Sequence, residues 1–469
     1  MKPALLSLYH RLPAELRAWF ATGRGLQLRR WRYGPETDTL VEMALERDQW
    51  SNEQWSQYRE PRLAYLLERT AKQVPYYRKH WEARRRAGDR AAVDLVANWP
   101  VLEKESLRAE PHAFVADDCD LRSLYHIHTS GTTGTPINTW WPKKMVREHY
   151  ALHEARARRW YGVDRHMPFA MLGGQLVAPV EQTKPPFWVK NYAMHQLYMS
   201  SYHLAPAYLP AYIAAIRAHN AQFILAYTSS VYALAKGIAQ AGIEPPKLKA
   251  IITNAEPVYD FQRTTIEQVF GCRVYETYGQ SESVAFGSEC QSGHLHQWPE
   301  IGWVEIMEGD RPLPIGETGD IVSTGLLNDA MPLIRYRIGD RASLTTGEES
   351  RCGHRLPQWG KIEGRIDDVL YTRDGRQIGR LDPIFKADLP IKEAQIVQQT
   401  FERVLVRYVP DTTFAPEHEQ YIAEQLQKRM GEVQVVFERS ERIPRTRNGK
   451  LRAVINEIPA ESREAARSS

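Results

Sequence analysis

Cysteine is scarce in this sequence, with four in 469 residues. So few cysteines exclude a disulfide framework of the kind that stabilises small secreted domains, and the expected compartment is a reducing cytoplasm. Long apolar runs are also missing. The apolar residues 5–9 are followed closely by Pro13 and Glu15, so we expect neither a signal peptide nor a transmembrane helix.

The chain also lacks a strong excess of either charge. It has 61 lysines and arginines against 57 acidic residues, a formal net charge of +4. This near balance gives no overall attraction to nucleic acid, and no nucleic-acid partner is expected. The length exceeds what a single hydrophobic core supports, so at least two domains are predicted.

The first part of the chain, to about Trp99, is rich in arginines and aromatic residues. Arg29 and Arg30, for example, follow Trp19 and Phe20. One interpretation is a peripheral surface that docks on an anionic membrane or on a partner. The other is a helical cap whose arginines are simply solvated. The short apolar segments favour the cap.

From residue 222 onward, strand-like and helix-like segments alternate. Strands are predicted over 222–227, 248–253 and 272–276, and helices over 231–241 and 261–270. This alternation is typical of βα units and of a largely parallel sheet. Ligands bind such sheets at loops beyond the carboxyl ends of the strands. Two polar turns, residues 254–257 and 277–282, are predicted at those ends.

The pattern changes near residue 364. Strands are predicted over 394–400, 403–409 and 433–437, and an amphipathic helix over 417–430. These segments form a small α+β unit. We therefore predict an α/β protein in which residues 1–364 form a large domain of βα units with mixed sheets. Residues 365–469 form the small, mobile α+β domain.

The stretch from His128 to Pro136 reads His-Thr-Ser-Gly-Thr-Thr-Gly-Thr-Pro. Its glycines let the backbone approach an anion, and successive N–H groups can form a nest for phosphate oxygens. On composition alone, a polar surface loop explains the stretch equally well. The residues after Gly134 argue against a P-loop, because no lysine followed by serine or threonine comes there.

Six polar motifs occur in a fixed order along the chain. They are Thr-Ser-Gly-Thr-Thr-Gly-Thr-Pro ending at Pro136, Thr-Tyr-Gly-Gln-Ser-Glu ending at Glu282, Gly-Glu-Thr-Gly-Asp ending at Asp320, Tyr-Arg-Ile-Gly-Asp ending at Asp340, Gly-Arg-Ile-Asp-Asp ending at Asp368 and Pro-Arg-Thr-Arg-Asn-Gly-Lys ending at Lys450. This order resembles the adenylate-forming superfamily of acyl-CoA synthetases, adenylation domains and luciferase-like enzymes. The turn at 254–257 is most similar to the phenylacetate–CoA ligase branch. Residues 371–385 are most similar to its subgroup associated with capsular and exopolysaccharide biosynthesis.

The resemblance implies ATP-dependent activation of a small-molecule carboxylic acid, with release of pyrophosphate and later thioester formation with CoA. It implies that Lys450 and Glu282 are catalytic, that Glu282 binds Mg²⁺, and that Asp367 is the hinge of the small domain. The ATP contacts that it implies are Thr129, Ser130, Gly131, Thr132, Thr133, Gly134, Thr135, Asn254, Ala255, Glu256, Pro257, Thr277, Tyr278, Gly279, Asp340, Arg365 and Arg376. The side-chain chemistry agrees with these roles. The Glu282 carboxylate suits Mg²⁺, the Asp340 carboxylate can accept hydrogen bonds from ribose hydroxyls, and the Tyr278 ring offers adenine a flat face.

Relatives in this branch often carry a Cys/His cluster in two loops near the active site. The matching residues here are Cys290, His296, Cys352 and His354, with His294 as a substitute ligand. Thiolates and imidazoles suit tetrahedral Zn²⁺. Ser350 stands where relatives usually have a further cysteine, and free thiols beside surface histidines remain the alternative.

Three questions stay open at the level of sequence. The acyl acceptor is CoA, a carrier-protein thiol or an amine. A catalytically inactive nucleotide-binding scaffold is the rival outside enzymes, and the presence of Glu282, Asp340 and Lys450 argues against it. Neither the acid nor the oligomeric state follows from the sequence. The aromatic residues between 140 and 202 could line an acyl pocket or belong to the core.

Overall fold

A computed structural model describes residues 9–128, 137–175, 177–179, 182–346, 352–362, 370–372, 377–378, 389–444, 452–459 and 461–463. Outside these ranges lie the predicted phosphate loop (129–135), Arg365, Asp367, Arg376 and Lys450. Within them, no helix has both the length and the apolar character needed to cross a bilayer.

The N-terminal region is helical. Its helices are α1 (Ala14–Arg32), α2 (Thr37–Arg47), α3 (Asn52–Gln73), α4 (Pro75–Arg86) and α5 (Lys104–Ala109). Leu66 on α3 and Trp81 on α4 belong to one buried cluster with Ile321 and Tyr336, which lie far along the chain. The helices therefore pack on the remainder of the protein, as expected for a helical cap.

A fully buried ion network fastens the end of α2 to the following domain. The Arg156 guanidinium donates to Asp48 Oδ1 at 2.7 Å and to Glu300 Oε2 at 2.7 Å. Trp160 Nε1 donates to the second oxygen of Asp48 at 2.9 Å. Arg156 is fully buried and both carboxylates are nearly so. Removing one member of such a network leaves an uncompensated buried charge, so these residues hold the N-terminal region in a fixed position.

The central sheet has the predicted βα organisation. The hairpin of β1 (Tyr125–His128) and β2 (Asn138–Trp141) and the helix α6 (Lys143–Arg156) precede it in the chain. Its elements are β3 (Phe169–Gly173), β4 (Trp188–Asn191), β5 (Gln196–Ser200), α7 (Leu209–Ala218), β6 (Phe223–Tyr227), α8 (Thr228–Ala241), β7 (Ala250–Asn254), α9 (Asp260–Phe270), β8 (Val274–Gly279), β9 (Phe286–Glu289) and β10 (Leu295–Gln297). Strands β5, β3, β6, β7 and β8 are neighbours in that order and run parallel. Antiparallel strands extend the sheet on both sides. The predicted mixed α/β fold is confirmed.

An antiparallel sheet follows the central one. It contains β11 (Gly302–Glu308), β12 (Arg311–Pro312), β13 (Gly319–Gly325) and β14 (Tyr336–Ala342), and the short strands β15 (Leu344–Thr345) and β16 (Gln358–Trp359) return to the central sheet. Asp320, which ends one of the six motifs, accepts from Arg337 at 2.9 Å and from Arg341 at 3.0 Å. These two ion pairs give Asp320 a structural role, because they join β13 to β14.

The C-terminal part has its own sheet and core. Its elements are β17 (Leu370–Tyr371), β18 (Gln377–Ile378), β19 (Ile391–Gln398), β20 (Arg403–Pro410), α10 (Pro416–Met430), β21 (Gln434–Arg439) and β22 (Val454–Asn456). Ile396, Val406, Ile422 and Leu426 are fully buried together. The α+β character is as predicted, while the proposed boundary at 364 lies outside the described residues.

Candidate active site

Three strand ends meet at one edge of the central sheet. Register pairs Tyr227 with Asn254 and Thr253 with Glu276, so β6, β7 and β8 finish side by side. Thr277 Oγ1 donates to the Thr253 carbonyl at 2.7 Å, which joins the two predicted polar turns. This is the edge at which parallel α/β sheets bind ligands.

The turn after β7 is shaped by the helix that follows β6. Ala255 adopts a left-handed conformation with φ 64°. The Glu256 carboxylate accepts from the backbone N–H of Ser229 at 2.7 Å and from its hydroxyl at 3.1 Å. Negative charge at the start of a helix is stabilising, so Glu256 acts as a cap for α8. Both carboxylate oxygens of Glu256 are therefore engaged by Ser229. The side chain of Asn254 and the backbone of the turn remain as the candidate contacts to a ligand.

Tyr278 and Asp340 are brought together across the site. Tyr278 Oη donates to Asp340 Oδ2 at 2.8 Å. The Trp359 ring meets the Tyr278 ring edge-on, with centroids 5.6 Å apart. Gly279 follows, and a Cβ there would collide with the Phe286 ring, so only glycine fits. The tyrosine ring is thus held in place next to the predicted ribose-binding carboxylate.

A second tyrosine–carboxylate pair involves Glu282, a buried residue. Tyr336 Oη donates to Glu282 Oε1 at 2.8 Å, and the tyrosine is fully buried. Asp340 lies four residues after Tyr336 on β14, beyond a β-bulge that includes Gly339 with φ 84°. The preceding Arg335 has φ 48° and forms an ion pair with Glu305 at 3.1 Å. Strand β14 therefore presents one partner to Tyr278 and one to Glu282.

The residue after Glu282 is also tightly held. Ser283 is buried with φ 52°, and its hydroxyl lies 3.0 Å from His149 Nδ1. Burial lowers the pKa of His149 to about 3, so the ring is neutral at physiological pH. A neutral imidazole with a fixed partner is a positioning group, and it fixes the backbone from which the Glu282 side chain extends.

Glu276 is a further acidic group at this edge that the motifs do not reveal. Burial, and then the neighbouring Glu289, raise its pKa to about 7. Its backbone N–H donates to Glu289 Oε2 at 2.8 Å. Sequence reasoning missed it because both its burial and its closeness to Glu289 on the adjacent strand β9 arise only in the folded chain. Tyr336 was also given no role, although it begins one of the six motifs.

Three of the predicted zinc ligands form a compact group. One ligand atom from each of Cys290, His296 and Cys352 lies within 4.8 Å of the other two. His296 Nε2 is 3.1 Å from Cys352 Sγ, and its Nδ1 is 3.2 Å from the Leu356 carbonyl. That carbonyl fixes the proton on Nδ1, which leaves Nε2 as the ligand atom. Burial lowers the pKa of His296 to about 4, which keeps the ring neutral.

The fourth predicted ligand lies outside this group. The His354 ring stacks on Trp160 with centroids 4.2 Å apart, and its Nδ1 is 3.8 Å from Asp48 Oδ2. The substitute His294 is exposed, and its ring centroid is 6.5 Å from that of His296. The potential metal ligands grouped in the described residues are therefore two cysteines and one histidine. His354 lies beside this group, on the Trp160 ring.

Most of the aromatic residues considered for an acyl pocket belong to the core. Trp140, Trp141, Tyr161, Phe187 and Tyr198 are buried within hydrophobic clusters or against them. Tyr202 is half-buried, and its hydroxyl donates to the Gly174 carbonyl at 3.3 Å, beyond the end of β3. The preference for core over pocket at most of these positions agrees with the structure.

Comparison with known proteins agrees with these features. Residues 370–457 match the family model of the CapK C-terminal domain. Protein CapK of Staphylococcus aureus is 26% identical over 386 residues, which cover 79% of this chain and 82% of that protein. The phenylacetate-coenzyme A ligase of Pseudomonas putida is 29% identical over 340 residues, 68% of this chain and 72% of that enzyme.

Solved structures show the same fold. The crystal structure of 2-hydroxyisobutyryl-CoA ligase in the postadenylation state, in complex with R3-HIB-AMP, superposes with a TM-score of 0.66 at 21% identity. The match covers 90% of this chain and 94% of that one. The predicted resemblance is confirmed. The chain is a homologue of CapK and of the phenylacetate–coenzyme A ligases, and it has the fold of the adenylate-forming acyl-CoA ligases.

Proposed function

We propose that this protein activates a carboxylic acid with ATP and then transfers the acyl group to the thiol of CoA. In the first step a carboxylate oxygen attacks the α-phosphorus, the bond to the bridging oxygen breaks, and pyrophosphate leaves. In the second step the CoA sulfur attacks the acyl carbon, and AMP leaves. The observation that carries the proposal is the double pairing of Tyr278 with Asp340 and Tyr336 with Glu282 at the strand ends.

Each of these residues has a chemical task in the proposal. Asp340 accepts hydrogen bonds from the ribose hydroxyls, and the Tyr278 ring faces the adenine. Glu282 uses one oxygen for Tyr336, which leaves the other for Mg²⁺, a cation that prefers oxygen ligands. Bound Mg²⁺ would neutralise charge on the phosphate oxygens. The phosphate loop at 129–135, Arg365, Arg376 and Lys450 remain assigned by resemblance, with Asp367 as the hinge.

Acid-dependent exchange of radiolabelled pyrophosphate into ATP tests the first step. We expect exchange with at least one acid from a panel of aryl, hydroxy and short aliphatic acids, without any need for CoA. Thioester formation on adding CoA then supports the second step. Exchange without a CoA thioester would assign the acceptor to a carrier-protein thiol or an amine. Absence of exchange with every acid would contradict the proposal and favour the scaffold.

The Cys290, His296 and Cys352 group supports a proposal of structural Zn²⁺. Two thiolates and one imidazole suit this ion, and a fourth position would be filled by His354 after a small movement or by water. We expect close to one zinc per chain in protein purified without chelators. Cys290→Ser should lose the zinc and lower the melting temperature by several degrees. The matched control is Cys272→Ser, a free cysteine outside the group. Zinc well below stoichiometry in the wild type would contradict the site.

A cytoplasmic location is also part of the proposal. None of the four cysteines, all of which lie in the described ranges, forms a disulfide, and this suits a reducing compartment.

A further inference from the structure

Helix α1 exposes four of its large apolar side chains, while Trp31 near its C-terminal end packs against the core. Its buried positions are Arg17, Ala18 and Gly25. Trp19 is 67% exposed and Phe20 is 59% exposed. This is the reverse of the usual arrangement, in which the apolar stripe of a surface helix faces the core.

The inner face of α1 is in contact with the rest of the protein. Arg17 Nη1 donates to the Val177 carbonyl at 3.1 Å. Gly25 is so close to the Asn191 side chain on β4 that a Cβ would collide with it. The backbone N–H of Tyr192 donates to Thr22 Oγ1 at 3.1 Å. The helix is therefore fixed against the edge of the central sheet, and turning Trp19 and Phe20 inward would break these contacts.

The exposed apolar residues form one patch, which we call the α1 face. It consists of Leu16, Trp19, Phe20, Leu26 and Tyr192. Leu16, Trp19 and Phe20 have the spacing that places side chains on one side of a helix. The Trp19 and Tyr192 rings contact each other, with centroids 6.1 Å apart. Five of the ten large apolar side chains exposed in the described residues lie here, while the others are scattered. A concentrated patch of this kind marks an interaction site.

Positive charge borders the α1 face. The helix contains five arginines and a single acid, Glu15. At its C-terminal end a cavity of about 420 Å³ is lined by basic side chains, namely Arg29, Arg30, Arg165, His166 and His195. Arg165 is paired with Asp38 at 2.8 Å. Within the described part of the chain, Arg29 and Arg30 form no ion pair with a carboxylate, so their charge is available to an anion.

We propose that the α1 face docks this protein on the surface of an anionic phospholipid bilayer. Tryptophan and other aromatic residues favour the membrane–water interface, and arginines beside them attract lipid phosphates. The cavity at Arg29 and Arg30 has the size and the charge to take a phosphate headgroup. The protein would lie on the membrane without crossing it, in agreement with the absence of a spanning helix among the described residues.

The cavity end of this surface lies away from the proposed active site. The cavity is bounded by Met194 and His195, immediately before β5 begins. The active site lies at the opposite ends of the parallel strands, after Tyr227, Asn254 and Gly279. A bilayer bound at the cavity therefore leaves the loops after β6, β7 and β8 accessible to substrates. Substitutions of the exposed residues of α1 should not affect pyrophosphate exchange.

Vesicle sedimentation with the full-length protein tests this inference. We expect binding to vesicles of phosphatidylcholine with about 30% phosphatidylglycerol at about 50 mM salt, and its loss at about 500 mM salt or with pure phosphatidylcholine. Trp19→Ser/Phe20→Ser and Arg29→Glu/Arg30→Glu should each lower the partition coefficient at least about tenfold. The matched controls are Tyr65→Ser/Ile315→Ser and Arg86→Glu/Arg122→Glu, which change exposed residues elsewhere and should bind as the wild type does.

The alternatives give different results. No binding to anionic vesicles at low salt would overturn the proposal, as would equal losses in the variants and their controls. Light scattering that shows a dimer which Trp19→Ser/Phe20→Ser converts to a monomer would assign the α1 face to a second copy of the chain. Circular-dichroism melting checks that each variant folds, independently of any enzymatic activity. If exchange fails while anionic binding persists, the catalytic proposal falls and the docking proposal stands.

Discussion

Replacing Lys450 with alanine should lower acid-dependent pyrophosphate exchange by roughly 10²–10³-fold, while thioester formation from a supplied acyl-adenylate stays close to the wild-type rate. The estimate corresponds to the roughly 3–4 kcal/mol associated with losing one group that stabilises developing negative charge. By resemblance, the lysine places a positive charge against the α-phosphate and the carboxylate during adenylation. The same resemblance implies that in the second step the small domain turns about Asp367, which would remove the lysine from the reaction centre.

Two half-reaction assays separate these steps. Pyrophosphate exchange reports adenylation, and mass spectrometry of the CoA thioester, starting from synthetic acyl-adenylate, reports transfer. Arg442→Ala is the matched control, because it removes an exposed positive charge from the same small domain. Equal loss in both half-reactions would contradict the alternating use of the small domain.

Replacing Glu282 with glutamine should reduce exchange by about 10²-fold or more and raise the Mg²⁺ concentration required for half-maximal activity. Glutamine keeps an oxygen that can accept from Tyr336 Oη, so the buried pair is retained in shape. What disappears is the negative charge that we propose binds Mg²⁺.

The Tyr336→Phe variant separates charge from position. It leaves the Glu282 carboxylate in place but removes its hydrogen bond, so the expected loss is about 3–10-fold, equivalent to one ordinary hydrogen bond. Glu308→Gln, at an exposed acid on β11, should leave the Mg²⁺ dependence unchanged. If Glu282→Gln and Glu308→Gln gave the same Mg²⁺ requirement, Glu282 would not be the metal ligand.

The sequence predicted the central βα units closely, for a physical reason. The strand predicted at 222–227 is observed as Phe223–Tyr227, and the helix predicted at 261–270 as Asp260–Phe270. Strands that are buried on both faces appear as short, continuous apolar runs, and the helices between them show apolar residues on one face. The polar turns at the strand ends then follow from chain direction alone.

Contacts between distant segments could not be predicted in this way. Tyr336 and Glu282 are separated by 54 residues, and nothing in either motif specifies that they form a pair. The zinc ligands illustrate the same limit, because the resemblance to relatives with a Cys/His cluster suggested four residues. The structure groups three and places His354 on the Trp160 ring instead. For α1 the sequence left a docking surface and a helical cap both open and favoured the cap, because the exposure of Trp19 and Phe20 depends on how the helix packs.

Arg156 makes the beginning of the chain inseparable from the sheet domain as a folding unit. A truncated protein starting after Asp48 would keep the buried guanidinium but lose one of its two carboxylates. Breaking such a network typically costs about 3–5 kcal/mol, a large share of the stability of an ordinary domain. A fusion partner or a shortened expression form therefore has to join the chain ahead of Asp48. The same requirement restricts any evolutionary rearrangement that would exchange the N-terminal helices between relatives.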